Sequence, residues 1–199
     1  MKTRLGLPGG IAAELHTAFV RDTLEMASAL GHPLELHTDQ PCAAWPEFGG
    51  PRRLQVEGDL GARMLAAFAR GPALILGGDA PGLPASHAAS LLERPEDVAI
   101  GPAEDGGYWG ILCRRPRPEM FAGVEWSTER ALAQTAASAR AAGLSVGFGE
   151  RWFDVDDRAS LRRLFDSPPR HTAEFLSRRQ DVLHLLSDAH HAEAGRSGA

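Results

Sequence analysis

No apolar run in the sequence approaches the ~18 residues needed to span a membrane, and no secretory leader pattern precedes residue 30. No membrane partner is expected, and the chain is expected to be cytoplasmic. Cysteine is scarce: Cys42 and Cys113 stand alone, without the partner spacing of a zinc site, and read as reduced, half-buried thiols. Basic charge is not in excess. The formal net charge is −5, leaving nothing to displace counterions from a nucleic acid. Eight histidines change that balance only below about pH 6.5. There is no Walker loop, no GxGxxG fingerprint and no nucleophile elbow. A late His190-His191 pair has no third ligand type near it.

What is present describes a single globular domain. The 199 residues are 43% hydrophobic and 24% charged, enough for a real core. We assign residues 1–186 to one domain and 187–199, small and polar, to a fraying tail. Apolar residues recur at helical spacing from Ile11 to Leu30, and Gly31-His32-Pro33 supplies the stop. A strand (33–39), a Pro/Gly-rich loop (41–53) and a short strand leading into a helix (54–71) follow. The run "ALIL" (73–76) reads as a strand buried on both faces. Helix 85–94, strands near 97–102 and 108–115, helix 127–143, a last strand from 144 and helix 158–165 complete the pattern. Strand and helix alternate about every 20–25 residues, which predicts βα units around a mixed, mostly parallel sheet. In such sheets ligands collect at the carboxyl ends of the strands.

The loops expected there are rich in acid. "LILGGDAPGLP" places Asp79 just after a buried strand, where a carboxylate can hold a hard dication, with helix capping by Asp79 or Ser86 as the alternative. "GPAEDGGYWG" carries Glu104, Asp105, Gly106 and Gly107 in a turn beside Tyr108. This is either an ordinary hairpin turn or a loop that orders a polar acceptor. "RWFDVDD" puts Asp154 and Asp156 on one face by alternation, so both can address one ion; the alternative is that Asp156 or Asp157 caps the next helix. "QVEGDLGARM" brackets a helix start with Gly58 and Gly61. Its free N–H groups suit a polar or anionic ligand, while Asp59 caps the helix or meets a ribose hydroxyl. In "EWSTER", Ser127 or Thr128 reads as a cap. At the start, "MKTRLGLPGG" is either a solvated terminus or a phosphate cradle without its supporting strand.

Taken in order, "KTRL", "GDLGARM", "LGGDAPGL", "GPAEDGGYWG", "EWSTE" and "FDVDD" resemble bacterial glycosyltransferase-like proteins of the GT-A, or nucleotide-diphospho-sugar transferase, fold. These are the arsenosugar-biosynthesis or radical-SAM-associated type, distantly similar to guanylyltransferases for 2-phospholactate and the molybdenum cofactor. The resemblance covers residues 2 to about 165 and implies a three-layer α/β/α Rossmann-like fold. It implies Mg²⁺ or Mn²⁺ held by Asp79, Asp154 and Asp156, and Lys2 and Arg4 on phosphate. Gly58, Asp59, Gly61 and Arg63 fall on the nucleotide side. Glu104, Gly106, Gly107, Tyr108, Trp126 and Ser127 fall on the acceptor side, and Asp105 orients or deprotonates the acceptor. The partners implied are a nucleotide sugar or a nucleoside triphosphate and a small-molecule acceptor.

The pattern departs from the family twice. Its members carry an apolar central strand and a Lys-x-Pro-x-Pro-Gly loop ahead of "KTRL", and this chain lacks both. A misassigned start or truncation is the expected cause. After the late Asp pair the family has Thr-x-x-Asp-Leu, where this chain has Asp157-Arg158-Ala159-Ser160-Leu161, which puts capping of that helix in doubt. The leading expectation is metal-dependent glycosyl transfer. The alternatives are nucleotidyl transfer with pyrophosphate release, and a non-catalytic nucleotide-binding remnant of the fold.

Overall fold

A computed structural model describes residues 5–182. The phosphate-loop candidates Lys2 and Arg4, the expected tail and the His190-His191 pair lie outside those residues. In chain order the elements are α1 (Gly9–Ser28), β1 (Leu36–Thr38), β2 (Arg52–Leu54), α2 (Leu60–Phe68), β3 (Ala73–Leu76) and α3 (Ala85–Leu92). Then come β4 (Val98–Pro102), β5 (Tyr108–Cys113), α4 (Ala131–Ala141), β6 (Val146–Phe148), α5 (Arg158–Asp166) and α6 (Arg170–Arg178).

The central sheet has the order β3-β5-β4-β6. β5 runs antiparallel to both β3 and β4, while β4 and β6 are parallel, so β3, β4 and β6 share one direction and β5 alone is reversed. The sheet is mixed, as expected, with three of its four strands in one direction, but two of its three pairings are antiparallel because β5 sits between β3 and β4. β1 and β2 form a separate parallel pair. Among the described residues no strand precedes α1, and β3 ends its sheet with no strand on its second edge.

Alternation along the strands divides the side chains into two layers. Val98 and Ile100 of β4 and Ala73 and Ile75 of β3 pack with Met64 and Phe68 of α2 and Ala136 and Ala139 of α4. Ala99, Leu74 and Leu76 face the opposite way, onto Ala88 and Leu91 of α3 and Met26 and Leu30 near the end of α1. The result is the three-layer α/β/α arrangement. A bulge at Gly101/Pro102 breaks the β4–β5 register: Gly101 pairs with Gly110 and Pro102 with Tyr108, so Trp109 is the extra residue. Trp109 therefore joins Leu112 on the α3 side and lies across Gly101, where an added Cβ would come 2.1 Å from its ring.

A third core cluster joins Leu15 and Phe19 of α1, Leu161 and Leu164 of α5, and Phe175 and Leu176 of α6. α6 is an element the sequence pattern missed. Its N-cap position is Pro169, which has no side chain to satisfy the first N–H groups. Asp22 of α1, only 6% exposed, does so from across the chain. Its carboxylate accepts from the His171 N–H (2.7 Å), the Thr172 N–H (3.0 Å) and the Thr172 hydroxyl (2.6 Å).

Replacing Asp22 with Ala strands those buried donors and is expected to cost about 2–3 kcal/mol. In urea or thermal unfolding, Asp22→Asn should lose less, because its amide oxygen still accepts.

Candidate functional site

Three acid-bearing loops leave the carboxyl ends of the three strands that share a direction. Asp79 follows β3, Asp105 follows β4, and Asp154 and Asp156 follow the extension of β6. That extension is laid down by backbone bonds. The Gly149 N–H donates to the Ile100 carbonyl (2.9 Å) and the Trp152 N–H to the Pro102 carbonyl (3.0 Å), while Ala103 and Trp152 form an isolated parallel bridge. The Val155 N–H then donates to the Asp79 carbonyl at 2.8 Å. Val155 is fully buried, so the residues on either side of it, Asp154 and Asp156, turn to the other face together.

The carboxylates that converge are Asp105, Asp154 and Asp156, each offering an oxygen within 4.8 Å of the others. Asp79, which the resemblance implies as a ligand beside Asp154 and Asp156, is not a member of this group. Asp79 meets the turn through its backbone, and its Oδ1 folds back over Gly77, 2.7 Å from where a Cβ would stand. Asp105, implied by the resemblance to be the acceptor-side acid, takes the third place in the cluster. Its Oδ1 also accepts from the Gly107 N–H at 2.8 Å. Gly106, with φ +89°, holds this turn against α4: a Cβ there would come 2.1 Å from the Glu129 carbonyl oxygen. The Gly106 carbonyl accepts from the Leu132 N–H at 3.0 Å.

Burial, the hydrogen bond with Asp156 and the charges of Asp105 and Asp156 push the Asp154 carboxyl up to about 7. Asp157 is a cap after all. Its Oδ1 accepts from the Ser160 N–H at 2.8 Å, and Ser160 Oγ accepts from the Asp157 N–H at 3.2 Å, a complete capping box. The Asp157/Ser160 departure from the family pattern thus preserves the helix start. A second group of possible ligands, Asp22, Glu25 and His171, also comes together, but there Asp22 is occupied in capping α6.

The remaining sequence candidates form a neighbouring cluster at the start of α2. Asp59 caps that helix, accepting from the Ala62 N–H at 2.8 Å, and its other oxygen accepts from the Trp126 indole N–H at 3.3 Å. Gly61 lies beneath the same indole, and Arg63 donates to the Gly58 carbonyl (3.2 Å) and to Gln55 Oε1 (3.0 Å). Residues assigned to opposite substrates, Asp59 and Trp126, are therefore in direct contact. Ser127 has φ +62° and lies four residues before α4, which begins only at Ala131. Tyr108 points inward: its hydroxyl lies 3.9 Å from Met64 Sδ, and burial raises its pKa well above the usual phenol value. Glu104 pairs with Arg163, a residue the sequence reading did not single out, at 2.8 Å.

The sequence matches, over residues 24–128, the model of a family described as uncharacterized protein conserved in bacteria, DUF2064, and the chain belongs to that family. Its fold is that of the nucleotide-diphospho-sugar transferases. A crystal structure of a "putative nucleotide-diphospho-sugar transferase" from Desulfovibrio desulfuricans G20 superposes with a TM-score of 0.78 at 27% sequence identity, covering 94% of this chain and 91% of that one. No curated protein matches the sequence significantly.

The raised Asp154 pKa carries a sign. Its folded value lies above the ordinary 3.8, so the stability it contributes is full below pH 3.8 and is lost as pH rises through about 7. Asp154→Asn should remove that slope and leave the metal-free protein more stable than the unaltered chain at pH 8. Urea midpoints measured from pH 4 to 8 in EDTA check this.

Proposed function

We propose that the protein is a metal-dependent transferase of the glycosyltransferase type, taking a nucleotide-activated sugar as donor. The observation that carries the reading is the meeting of Asp105, Asp154 and Asp156 at the carboxyl ends of the parallel strands, where this class of sheet gathers its ligands. The donor set is all carboxylate oxygen, which fits a hard dication such as Mg²⁺ or Mn²⁺ and disfavours softer metals. Crowding that raises the Asp154 pKa is relieved by a bound cation. The likeness to the Desulfovibrio protein supports a nucleotide sugar as donor.

In this reading Asp154 and Asp156 hold the ion, with Asp105 as third ligand in place of Asp79. When bound, the cation supplies positive charge to a nucleotide's phosphates and so favours departure of the leaving group. The chain's own part is positional. The backbone bonds from 149 to 155 fix the late Asp pair against the β4 and β3 loops, and Gly106 fixes Asp105 beside them. Lys2 and Arg4 are proposed to meet phosphate, and Gly58, Asp59, Gly61 and Arg63 the nucleotide. Glu104, Gly107, Trp126 and Ser127 remain on the acceptor side, with Trp126 shaping the wall, while Tyr108, expected there too, turns its hydroxyl to Met64 in the core. The soluble, single-domain character expected for residues 1–186 belongs to the same reading, and no described helix is long and apolar enough to cross a membrane.

Nucleotidyl transfer with pyrophosphate release is the second reading, and one feature favours it. Asp79 stands singly after β3, with Pro81 where a DxD pair would carry its second acid.

A panel of nucleotides and nucleotide sugars, with and without Mg²⁺ or Mn²⁺, tests both. Saturating ligand near 100 Kd should add about 2.7 kcal/mol of stability, and only with metal present. Consumption of a nucleotide sugar decides for the first reading, pyrophosphate release from a nucleoside triphosphate for the second. A stability independent of metal and nucleotide would leave a non-catalytic remnant.

A further inference from the structure

Arg163 touches the neighbours of two of the clustered carboxylates at once. Its guanidinium lies over the Phe153 ring, 4.0 Å from the centroid, and Phe153 directly precedes Asp154. The same group donates from Nη1 to Glu104 Oε2 at 2.8 Å, and Glu104 directly precedes Asp105. Phe153 is itself buried in the α1–α5–α6 core, so the stacked guanidinium rests on a fixed platform. The backbone ties Asp105's loop to α4 and to Trp152, but it leaves the Glu104–Asp105 segment exposed toward α5.

We propose that Arg163 is a positioning residue: it clamps the Glu104–Asp105 turn onto the Phe153–Asp154 segment and so sets the spacing of the three carboxylates for a divalent cation. This rests on the cation reading given above. The three acids repel one another, and Asp105 is the exposed member, on a turn whose backbone tie to α4 is at Gly106, not at Glu104. A cation on Glu104's carboxylate counters that repulsion one residue upstream. The geometry asks for arginine in particular. A planar guanidinium can stack on an aromatic face and still donate in its own plane, whereas a lysine ammonium can keep the ion pair but loses the stack.

Mn²⁺ binding to the full chain, followed by EPR, gives the test. In the unaltered protein, Arg163→Met and Glu104→Gln should each weaken Mn²⁺ about fivefold, the scale of an exposed ion pair, and Arg163→Lys less. In an Asp105→Asn background, Arg163→Met should have no further effect, because the residue it positions no longer binds. Thermal midpoints in EDTA show that each variant is folded, and Glu104→Gln serves if Arg163→Met is not. Unaltered affinity in Glu104→Gln and Arg163→Met, or an Arg163→Met effect that persists undiminished in the Asp105→Asn background, overturns the proposal while leaving the cation reading standing. Failure of the unaltered protein to bind Mn²⁺ overturns the cation reading, and this one with it.

Discussion

Mutual repulsion among three carboxylates is the constraint around which this end of the molecule is built. Two like charges 4 Å apart repel by about 1 kcal/mol in water and by about 4 kcal/mol at an effective dielectric near 20. Holding Asp105, Asp154 and Asp156 within 4.8 Å of one another therefore needs a framework supplied from outside the acids themselves. The framework is backbone: β4 fixes one side, and the extension of β6 is bonded first to β4 and then to the Asp79 loop. The crowding appears in the raised pKa of Asp154, which burial and the neighbouring acids push up to about 7.

The elements that offset it are apolar and local. Val155, fully buried between the two acids, fixes their common face through its own packing with Leu5, Leu15 and Leu161. The bulge at Trp109 delivers a large ring to the α3 side of the sheet and places its indole N–H on the Glu150 carbonyl at 3.0 Å, steadying the chain just before the acidic turn. The Asp157–Ser160 capping box then starts α5 immediately after that turn, so the turn is bounded on both sides by satisfied backbone. In open α/β sheets ligands collect beyond the carboxyl ends of the strands, the end of the sheet from which the acid-bearing loops leave here.

Much of the fold could be read from residue pattern. "ALIL" (73–76) became β3, though as a half-buried strand at the end of its sheet and not one buried on both faces. The alternation of helix and strand became three layers, and Glu104 to Gly107 became a turn between β4 and β5, because periodicity and turn chemistry act over a few residues. α6 escaped because its start is not capped locally. The residue that caps it, Asp22, is 149 positions away from His171 in sequence. Reading Asp157 as a flaw in capping failed for a related reason: Ser160 supplies the reciprocal hydroxyl that the family pattern does not include.

By itself the sequence determined the strand-end loops, their acidity and the shared face of Asp154 and Asp156, since these follow from local spacing. Only the tertiary structure decided that Asp105, not Asp79, completes the cluster and that Arg163 bridges its two flanks. Those choices depend on the lateral order β3-β5-β4-β6 and on which backbone bonds tie one loop to the next. Lateral strand order is a long-range property, fixed by packing across the whole sheet, and no window of neighbouring residues encodes it.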